Sequence, residues 1–269
     1  MHHLHITFIG GGNMAEALIA GLVRAGHPAN HICVTDVRDE RRLFLAQQFG
    51  IKSLEENNRA VATANVVVLA VKPQQMDAVV SEIAPSVAPD ATLVSIAAGI
   101  NCARILSALG RELSLVRVMP NTPALVGAGM SVLFSSAASE HRAAADYLMA
   151  VCGRTAWVEN ESLLHAVTAL SGSGPAYFFL LAEAMQSAGV RLGLSEALAA
   201  ELTAQTALGA GRMLSESGRQ ASDLRRQVTS PGGTTQAALD VMFDAGLPDT
   251  IRNALAAADA RSQQLAVGK

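Results

Sequence analysis

The segment Ile6-Thr7-Phe8-Ile9-Gly10-Gly11-Gly12-Asn13-Met14-Ala15 decides the fold. A short apolar strand leads into a glycine-rich turn, and residues 14–25 then show the apolar spacing of a helix that ends at Gly26. Gly10 allows a tight turn, Gly12 lets a pyrophosphate approach the backbone, and Ala15 keeps the helix close to the strand. The segment predicts a strand–turn–helix unit that binds a dinucleotide. A plain glycine turn without a ligand is the alternative.

Apolar strands alternate with helical segments through the N-terminal half of the chain. A helix is predicted over residues 40–49 and ends at Gly50. The predicted strands are residues 6–9, 32–35, 66–71, 92–96, 115–119 and 131–134. Because continuous apolar strands between helices are typical of a parallel sheet covered on both faces, the pattern predicts a doubly wound α/β domain.

The pattern changes near Val158, and beyond it we find no convincing strand. Ser195 is a candidate N-cap for one of the helices. The predicted helices are residues 163–192, with an interruption at 171–175, and residues 195–215, 234–245 and 249–266. Several of them are rich in Ala and Leu and apolar on more than one face, which favours a homo-oligomer. An ordinary core between these helices and the N-terminal domain is the alternative.

Composition excludes several classes of function. The chain has 269 residues, a net charge of −3 and a pI of about 6.2, so no nucleic-acid partner is indicated. We find no apolar run of membrane-spanning length and no leader peptide, and the three cysteines are widely spaced. These features predict a cytoplasmic protein with no membrane partner. His2, His3 and His5 are expected to be solvated, and no metal site is predicted.

Charged residues follow the second predicted strand. Asp36 is in the position where an acidic side chain accepts a hydrogen bond from the ribose 2′-hydroxyl of NAD. Arg38, Arg41 and Arg42 come directly after it and are able to hold the 2′-phosphate of NADP. A solvated helix start is the alternative for these arginines. The sequence leaves the choice between NAD and NADP open.

Other strand ends offer small or polar residues to a cofactor. Ligands of doubly wound sheets lie outside the carboxyl ends of the strands, so residues at these ends are candidates for cofactor binding. Small residues would let a flat ring lie against the backbone. The candidates are Ala70, Val71, Lys72, Pro73, Ala97, Ala98, Gly99 and Asn121.

Six motifs in this order resemble those of the pyrroline-5-carboxylate reductases. They are Gly10-Gly11-Gly12-Asn13-Met14, Ala70-Val71-Lys72-Pro73, Ser95-Ile96-Ala97-Ala98-Gly99, Met119-Pro120-Asn121-Thr122-Pro123-Ala124, Ser171-Gly172-Ser173-Gly174-Pro175-Ala176-Tyr177 and Ser230-Pro231-Gly232-Gly233-Thr234-Thr235. The glycine-rich turn is common to many dehydrogenases, whereas the last two motifs are much more specific. The resemblance spans nearly the whole chain.

The resemblance implies an N-terminal Rossmann domain, residues 1–160, and an all-helical dimerisation domain, residues 161–269. It implies dimers that often assemble further into decamers. The implied reaction is the reduction of 1-pyrroline-5-carboxylate, a small cyclic imine, to L-proline with NADPH or NADH, the final step of proline biosynthesis. The implied active site lies between the Rossmann domain of one subunit and helices of the dimer.

The resemblance also implies roles for individual residues. It places Thr235 near the imine nitrogen and Asn57 near the adenosine ribose, with Asn58 as the neighbouring choice of register. Gly10, Gly11, Gly12, Asn13 and Met14 would bind the cofactor. Many family members have Ser, Thr or Asn where this chain has Asp36, so the aspartate departs from a strict preference for NADP.

The Ser-Pro-Gly-Gly-Thr-Thr motif precedes a predicted helix and suits an anion. Gly232, Gly233 and Thr234 at a helix start offer backbone N–H groups to a carboxylate, and Ser230 adds a hydroxyl donor. The Thr235 hydroxyl would donate a hydrogen bond to the imine nitrogen and would orient and polarise it, because threonine is a poor acid. The alternative is a capping turn in which Ser or Thr satisfies helix N–H groups.

Two other functions compete with this interpretation. A β-hydroxyacid dehydrogenase would use a lysine on the inter-domain helix, but residues 163–192 contain none, and His165 and Glu183 are the candidate acid–base groups there. A protein that binds a nucleotide but catalyses no reaction would need the motif Ser230–Thr235 only for folding.

Overall fold

The computed structural model describes residues 1–266, which form two compact units. One unit is Met1–Ser173 with the segment that starts at Ala258, and the other is Gly174–Ala257. Every strand of the described residues is in the first unit, and the second unit is helical. The boundary between residues 160 and 161 stays a prediction.

An eight-stranded sheet forms the centre of the first unit. In chain order its strands are β1 (Ile6–Ile9), β2 (Ile32–Thr35), β3 (Lys52–Leu54), β4 (Val66–Leu69), β5 (Thr92–Ser95), β6 (Ser114–Met119), β7 (Gly129–Phe134) and β8 (Gly153–Trp157). Their spatial order is β3-β2-β1-β4-β5-β6-β7-β8, and all neighbours are parallel except β6 and β7. The predicted doubly wound sheet is confirmed, with one antiparallel pair that the sequence did not indicate.

Two strands were missed, and both lie at edges of the sheet. β3 has only three residues, and β8 is half-buried with the charged Arg154 on it. An edge strand packs less of its surface against helices, so it lacks the continuous apolar run by which the central strands were predicted.

Helices cover both faces of this sheet. They are α1 (Asn13–Arg24), α2 (Asp39–Phe49), α3 (Asn57–Val61), α4 (Met76–Ile83), α5 (Cys102–Leu109), α6 (Ser139–Ala150) and α7 (Leu163–Val167). Phe8 and Val68 belong to one buried cluster with Leu18 of α1, whereas Leu69 belongs to another with Met76 of α4. Because adjacent strand residues point to opposite faces, apolar residues on both sides give the sheet two buried layers.

The second unit is built from α8 (Gly174–Arg191), α9 (Glu196–Glu216), α10 (Ala221–Gln227), α11 (Thr234–Asp244) and the first part of α12 (Leu247–Ala266). The prediction of an all-helical C-terminal region is confirmed, although α10 was missed because only Leu224 of its seven residues is buried. The Ser195 side chain accepts a hydrogen bond from the Leu198 N–H, which confirms the predicted N-cap. A π-helical turn, Thr168–Gly172, overlaps the first two residues of the predicted interruption, and α8 already begins at Gly174.

Large apolar side chains of the second unit face outward. Phe178, Phe179 and Leu180 of α8 are exposed, and Val241 of α11 is exposed as well. The predicted apolar faces are therefore uncovered within the single chain. Among residues 1–266 no helix is both long enough and apolar enough to span a membrane.

Candidate active site

The glycine-rich turn joins β1 to α1 with the geometry that a dinucleotide needs. Gly10 has φ +97°, and a Cβ there would lie 2.6 Å from the Ala70 carbonyl oxygen, so only glycine fits. Gly12 is the N-cap of α1 and has no capping side chain, and a Cβ there would meet nothing within 4 Å. Ala15 is fully buried beneath the turn. The open space beside Gly12 fits a phosphate at the helix start.

A cleft of about 370 Å³ opens at the carboxyl ends of the first unit's strands. It lies where the winding of the sheet reverses between β1 and β4, the usual ligand crevice of this fold. Eight predicted cofactor residues line it: Gly10, Gly12, Asp36, Arg38, Asn57, Ala70, Val71 and Lys72. The structure thus brings together half of the residues that the sequence indicated as cofactor-binding.

The cleft also has lining residues that sequence reasoning missed. They are Ile9, Thr35, Val37, Glu55, Gln75 and Val79. Glu55 comes directly after β3, and it lies beside the cleft because that short strand pairs with β2. A polar residue after a three-residue strand gives no signal that could have identified it.

The other predicted cofactor residues lie outside the lining of this cleft. Pro73, Ala98 and Gly99 line a second cleft of the same unit. Ala97 is buried, and the Asn121 side chain accepts from the Met130 N–H at 2.9 Å and donates to Ser171. Gly11, Asn13 and Met14 belong to the turn and to the first turn of α1.

The Asp36 carboxylate is tied to the glycine-rich turn. The Gly11 N–H donates to it at 2.9 Å, and the Arg38 backbone N–H and guanidinium donate to it as well. Partial burial alone would raise the pKa of the Asp36 carboxyl. The hydrogen bonds from Arg38 and Gly11 outweigh this burial and hold its pKa below the usual value. A charged carboxylate is therefore fixed in the cleft.

Asn57, not its neighbour Asn58, lines the cleft. The Asn57 carbonyl oxygen accepts from the Thr35 hydroxyl at 2.6 Å, and its amide donates to Glu82 at 3.1 Å. This pair of contacts fixes the orientation of the side chain. The role of Asn57 beside the ribose stays a prediction.

The Ser-Pro-Gly-Gly-Thr-Thr motif opens α11 in the second unit. Gly233 is the N-cap, no side chain caps the helix, and the Gly233 N–H donates to the Ser230 carbonyl at 3.0 Å. Gly232 has φ +70°, a conformation that favours glycine. Ser230 and Thr234 are exposed and Thr235 is half-buried. The alternative of a capping turn is wrong, because neither serine nor threonine caps the helix.

His165, the candidate acid–base group of the alternative dehydrogenase function, takes part in a hydrogen bond within the first unit. Its Nδ1 and the buried Ser262 hydroxyl hydrogen-bond at 2.9 Å. Among residues 1–266 no three His, Cys, Asp or Glu side chains are grouped so that they could hold a metal ion.

Comparisons with known proteins cover both halves of the chain. Residues 161–265 match the family model for pyrroline-5-carboxylate reductase dimerisation, and residues 5–99 match the model for coenzyme F420-dependent NADP oxidoreductases. The pyrroline-5-carboxylate reductase of Pseudomonas aeruginosa is 49% identical over 97% of this chain and 96% of its own length. The chain belongs to the pyrroline-5-carboxylate reductase family. The enzyme of Haemophilus influenzae is 47% identical over 98% of both chains.

Solved pyrroline-5-carboxylate reductases share the fold along nearly the whole chain. The structure from Coxiella burnetii has a TM-score of 0.93 at 40% identity and covers 97% of this chain and 98% of that one. The Plasmodium falciparum structure, which has NADP bound, has a TM-score of 0.87 at 29% identity and covers 99% of both. A 3-hydroxyisobutyrate dehydrogenase from Mycobacterium tuberculosis, 16% identical with a TM-score of 0.54, shares the fold alone.

Proposed function

We propose that this chain reduces 1-pyrroline-5-carboxylate to L-proline with NADPH or NADH, the final step of proline biosynthesis. The observation that carries the proposal is the start of α11, where Ser230–Thr235 present a helix N-terminus without a side-chain cap in a member of this reductase family. An uncapped helix start binds anions, and the substrate has a carboxylate. The catalytic residues of the proposal are Thr235 and Ser230.

The cofactor is held by the glycine-rich turn and the strand ends. Gly12, Asn13 and Met14 present backbone N–H groups at the start of α1 to the pyrophosphate. Gly10 and Gly11 shape the turn that leads to them, and their own N–H groups donate to the Thr35 carbonyl and the Asp36 carboxylate. The ribose is bound by Asp36, Arg38 and Asn57. The other residues proposed to contact the cofactor are Ala70, Val71, Lys72, Pro73, Ala97, Ala98, Gly99 and Asn121. When bound, the reduced nicotinamide supplies the hydride.

The substrate carboxylate accepts hydrogen bonds from the Gly232 and Thr234 backbone N–H groups and from the Ser230 hydroxyl. Gly233 lies between them and lets the carboxylate approach the backbone, while its own N–H donates to the Ser230 carbonyl. The Thr235 hydroxyl donates to the imine nitrogen. Reduction of a C=N bond adds a hydride to carbon and a proton to nitrogen, so the nitrogen needs a donor beside it. Thr235 orients the imine and relays a proton from water: its hydroxyl gives a proton to the nitrogen only as it takes one from a water molecule, because a threonine hydroxyl is too weak an acid to ionise.

The helical domain, residues 161–269, associates with a second copy to form a dimer or a dimer-based decamer. The exposed apolar side chains of α8 and α11 support this proposal, because such side chains are stabilised when a partner covers them. We also propose a cytoplasmic location. It is supported by the three cysteines, which are free and form no disulfide.

The experiment is oxidation of NADPH and NADH by the purified protein with 1-pyrroline-5-carboxylate, followed at the nicotinamide absorbance. We expect oxidation that depends on the substrate and yields proline in equal amount. Folded protein that oxidises neither cofactor would contradict the proposal and leave a nucleotide-binding protein without this chemistry.

A further inference from the structure

Pro175 leaves one carbonyl of the helical segment before it without the regular helix donor. In an α-helix the N–H of residue 175 would donate to the Ser171 carbonyl, but proline has no N–H and its ring crowds that carbonyl. The helix α7, the π-helical turn Thr168–Gly172 and the helix α8 follow one another with only Ser173 between them. The Ser171 carbonyl therefore requires a donor from another part of the chain.

The Asn121 side chain supplies this donor. Its Nδ2 lies 3.2 Å from the Ser171 carbonyl oxygen and 3.2 Å from the Ser171 hydroxyl oxygen, and it donates to both. Its Oδ1 accepts from the Met130 N–H at 2.9 Å, near the start of β7. Both ends of the amide are thus engaged within the first unit. The main chain of Asn121 is left for the contact with the cofactor proposed above.

A second contact joins the same two segments. Met119 is the last residue of β6, and a Cβ at Gly172 would lie 2.3 Å from its methyl carbon. The absence of a side chain at Gly172 therefore lets Met119 lie directly against the π-helical turn. Asn121 and Met119 attach the end of β6 to two adjacent residues of that turn, Ser171 and Gly172.

This attachment lies at the point where the chain leaves the first unit. The loop after β6 is at the carboxyl edge of the sheet, the edge at which ligands of this fold bind. The first unit ends at Ser173, and α8 continues the chain into the second unit, which contains Ser230–Thr235. The bonds from Asn121 to Ser171 fix the last turn of the chain before this passage.

We propose that Asn121 is a positioning residue of the reaction, which fixes the π-helical turn to the end of β6 by replacing the helix donor that Pro175 lacks, and so aligns the substrate with the nicotinamide. This inference rests on the proposed function. The Asn121 side chain acts through Ser171 and does not touch the reacting atoms. Because hydride transfer depends steeply on alignment, loss of the attachment lowers kcat and leaves the affinity for the cofactor intact.

The test is a double-mutant cycle of Asn121→Ala and Pro175→Ala. Asn121→Ala removes the donor, whereas Pro175→Ala returns an N–H to the helix for the Ser171 carbonyl. Asn30→Ala, at an exposed position in the turn before β2, is the control. Each protein is compared with wild type in hydrogen exchange of residues 168–174, in the dissociation constant of NADH and in kcat. NADH deuterated at the transferred position measures the isotope effect on kcat.

We expect Asn121→Ala to speed exchange in residues 168–174 about tenfold and to lower kcat about tenfold or more. The isotope effect on kcat should be at least as large as in wild type, and the dissociation constant of NADH should stay within about twofold. With Pro175→Ala already present, Asn121→Ala should change kcat by no more than about twofold. A general loss of stability would not be relieved by Pro175→Ala, so this rescue identifies the Ser171 carbonyl as the target. Asn30→Ala should match wild type throughout.

Three results would overturn the inference. A tenfold weaker affinity for NADH in Asn121→Ala would mean that the side chain itself contacts the cofactor. An equal loss of kcat with and without Pro175→Ala would mean that the Ser171 carbonyl is not the target. Faster exchange at unchanged kcat would restrict Asn121 to a role in folding.

Hydrogen exchange and NADH binding require no turnover, so they separate this inference from the proposed function. A wild-type protein that does not reduce pyrroline-5-carboxylate would contradict the proposed function. The exchange rates of the variants would then still decide whether Asn121 fixes the π-helical turn.

Discussion

Arg117 and Glu161 form an ion pair in which the guanidinium Nη1 lies 2.8 Å from the carboxylate. Arg117 is on β6 and only 4% exposed, and Glu161 precedes α7. The same carboxylate oxygen accepts from the Cys102 N–H at 2.8 Å. One side chain therefore joins the central sheet, the start of α5 and the segment that leads to α7.

Glu161→Gln should lower the free energy of unfolding by about 3 kcal/mol, because it leaves the buried Arg117 charge without a counterion. The amide retains an acceptor for the Cys102 N–H, so the loss reports on charge. Urea denaturation measures the change, and Glu112→Gln at an exposed site is the control. Equal midpoints for Glu161→Gln and the control would show that the pair contributes nothing measurable.

Alanine at the two outer glycines of the turn should separate folding from cofactor binding. Gly10→Ala should destabilise the fold, since its Cβ would lie 2.6 Å from a main-chain oxygen at φ +97°. Gly12→Ala should leave thermal stability unchanged and weaken cofactor binding about tenfold or more, because its methyl group enters the open space of the cleft. Thermal unfolding and NADH titration check both. Full affinity in Gly12→Ala would mean that the phosphates lie elsewhere.

Thr235→Ala should lower kcat about a hundredfold while the dissociation constant of the cofactor is unchanged. The lost hydroxyl is the donor proposed for the imine nitrogen. Thr235→Ser retains the hydroxyl and should recover most of the rate, and Thr250→Ala on α12 tests for a general effect of losing a threonine hydroxyl. Wild-type turnover in Thr235→Ala would remove this residue from the mechanism.

Acidification should destabilise the first unit through a cluster of histidines. His27 is 3% exposed, and its ring nitrogens hydrogen-bond with the Tyr147 hydroxyl at 2.9 Å and the Leu4 carbonyl at 3.1 Å. Burial lowers its pKa, and the positive charges of His2, His31 and the N-terminal amine lower it further against the opposing effect of the Leu4 carbonyl.

His5 differs from the solvated side chain that the sequence predicted. It is half-buried, and its ring centroid lies 4.3 Å from that of His31.

Because the pKa of His27 is lowered in the folded state, the unfolded chain binds a proton at this residue more readily than the folded chain does. The stability is therefore complete above the ordinary histidine pKa of about 6.5 and falls as the pH drops below it. Unfolding midpoints between pH 7 and pH 5 measure this loss. His27→Gln should flatten the pH dependence, whereas His3→Gln at an exposed site should not. The same slope in His27→Gln and wild type would contradict the assignment.

Charges on the apolar surface of α8 should prevent self-association. Phe178→Asp combined with Phe179→Asp should yield a monomer, because a carboxylate cannot be buried there without a partner. Light scattering during gel filtration measures the mass. Leu43→Asp on α2 makes the same kind of change at an exposed site of the first unit and should keep the wild-type mass. An unchanged mass in the double variant would place the association surface elsewhere.

The sequence predicted those parts of the fold that rest on local pattern. The β1 turn was predicted from Gly10 and Gly12 because their roles depend on backbone shape alone. The strands β3 and β8 were missed because edge strands bury too little to be apolar. The partners of the arginines after Asp36 are set by tertiary contacts, which the sequence does not show. Arg41 pairs with Glu16 and Arg42 pairs with Asp39.

The atoms next to Gly10 and Gly11 set different limits on which substitutions each position can accept. At Gly11 an added Cβ would lie 2.8 Å from Cδ1 of Leu45, a side-chain atom that a second substitution can remove. At Gly10 the obstacle is the Ala70 carbonyl oxygen, and every amino acid carries that atom. Gly11 can therefore be exchanged through a compensating change at Leu45. Gly10 has no such route, because no mutation of its neighbour deletes a backbone.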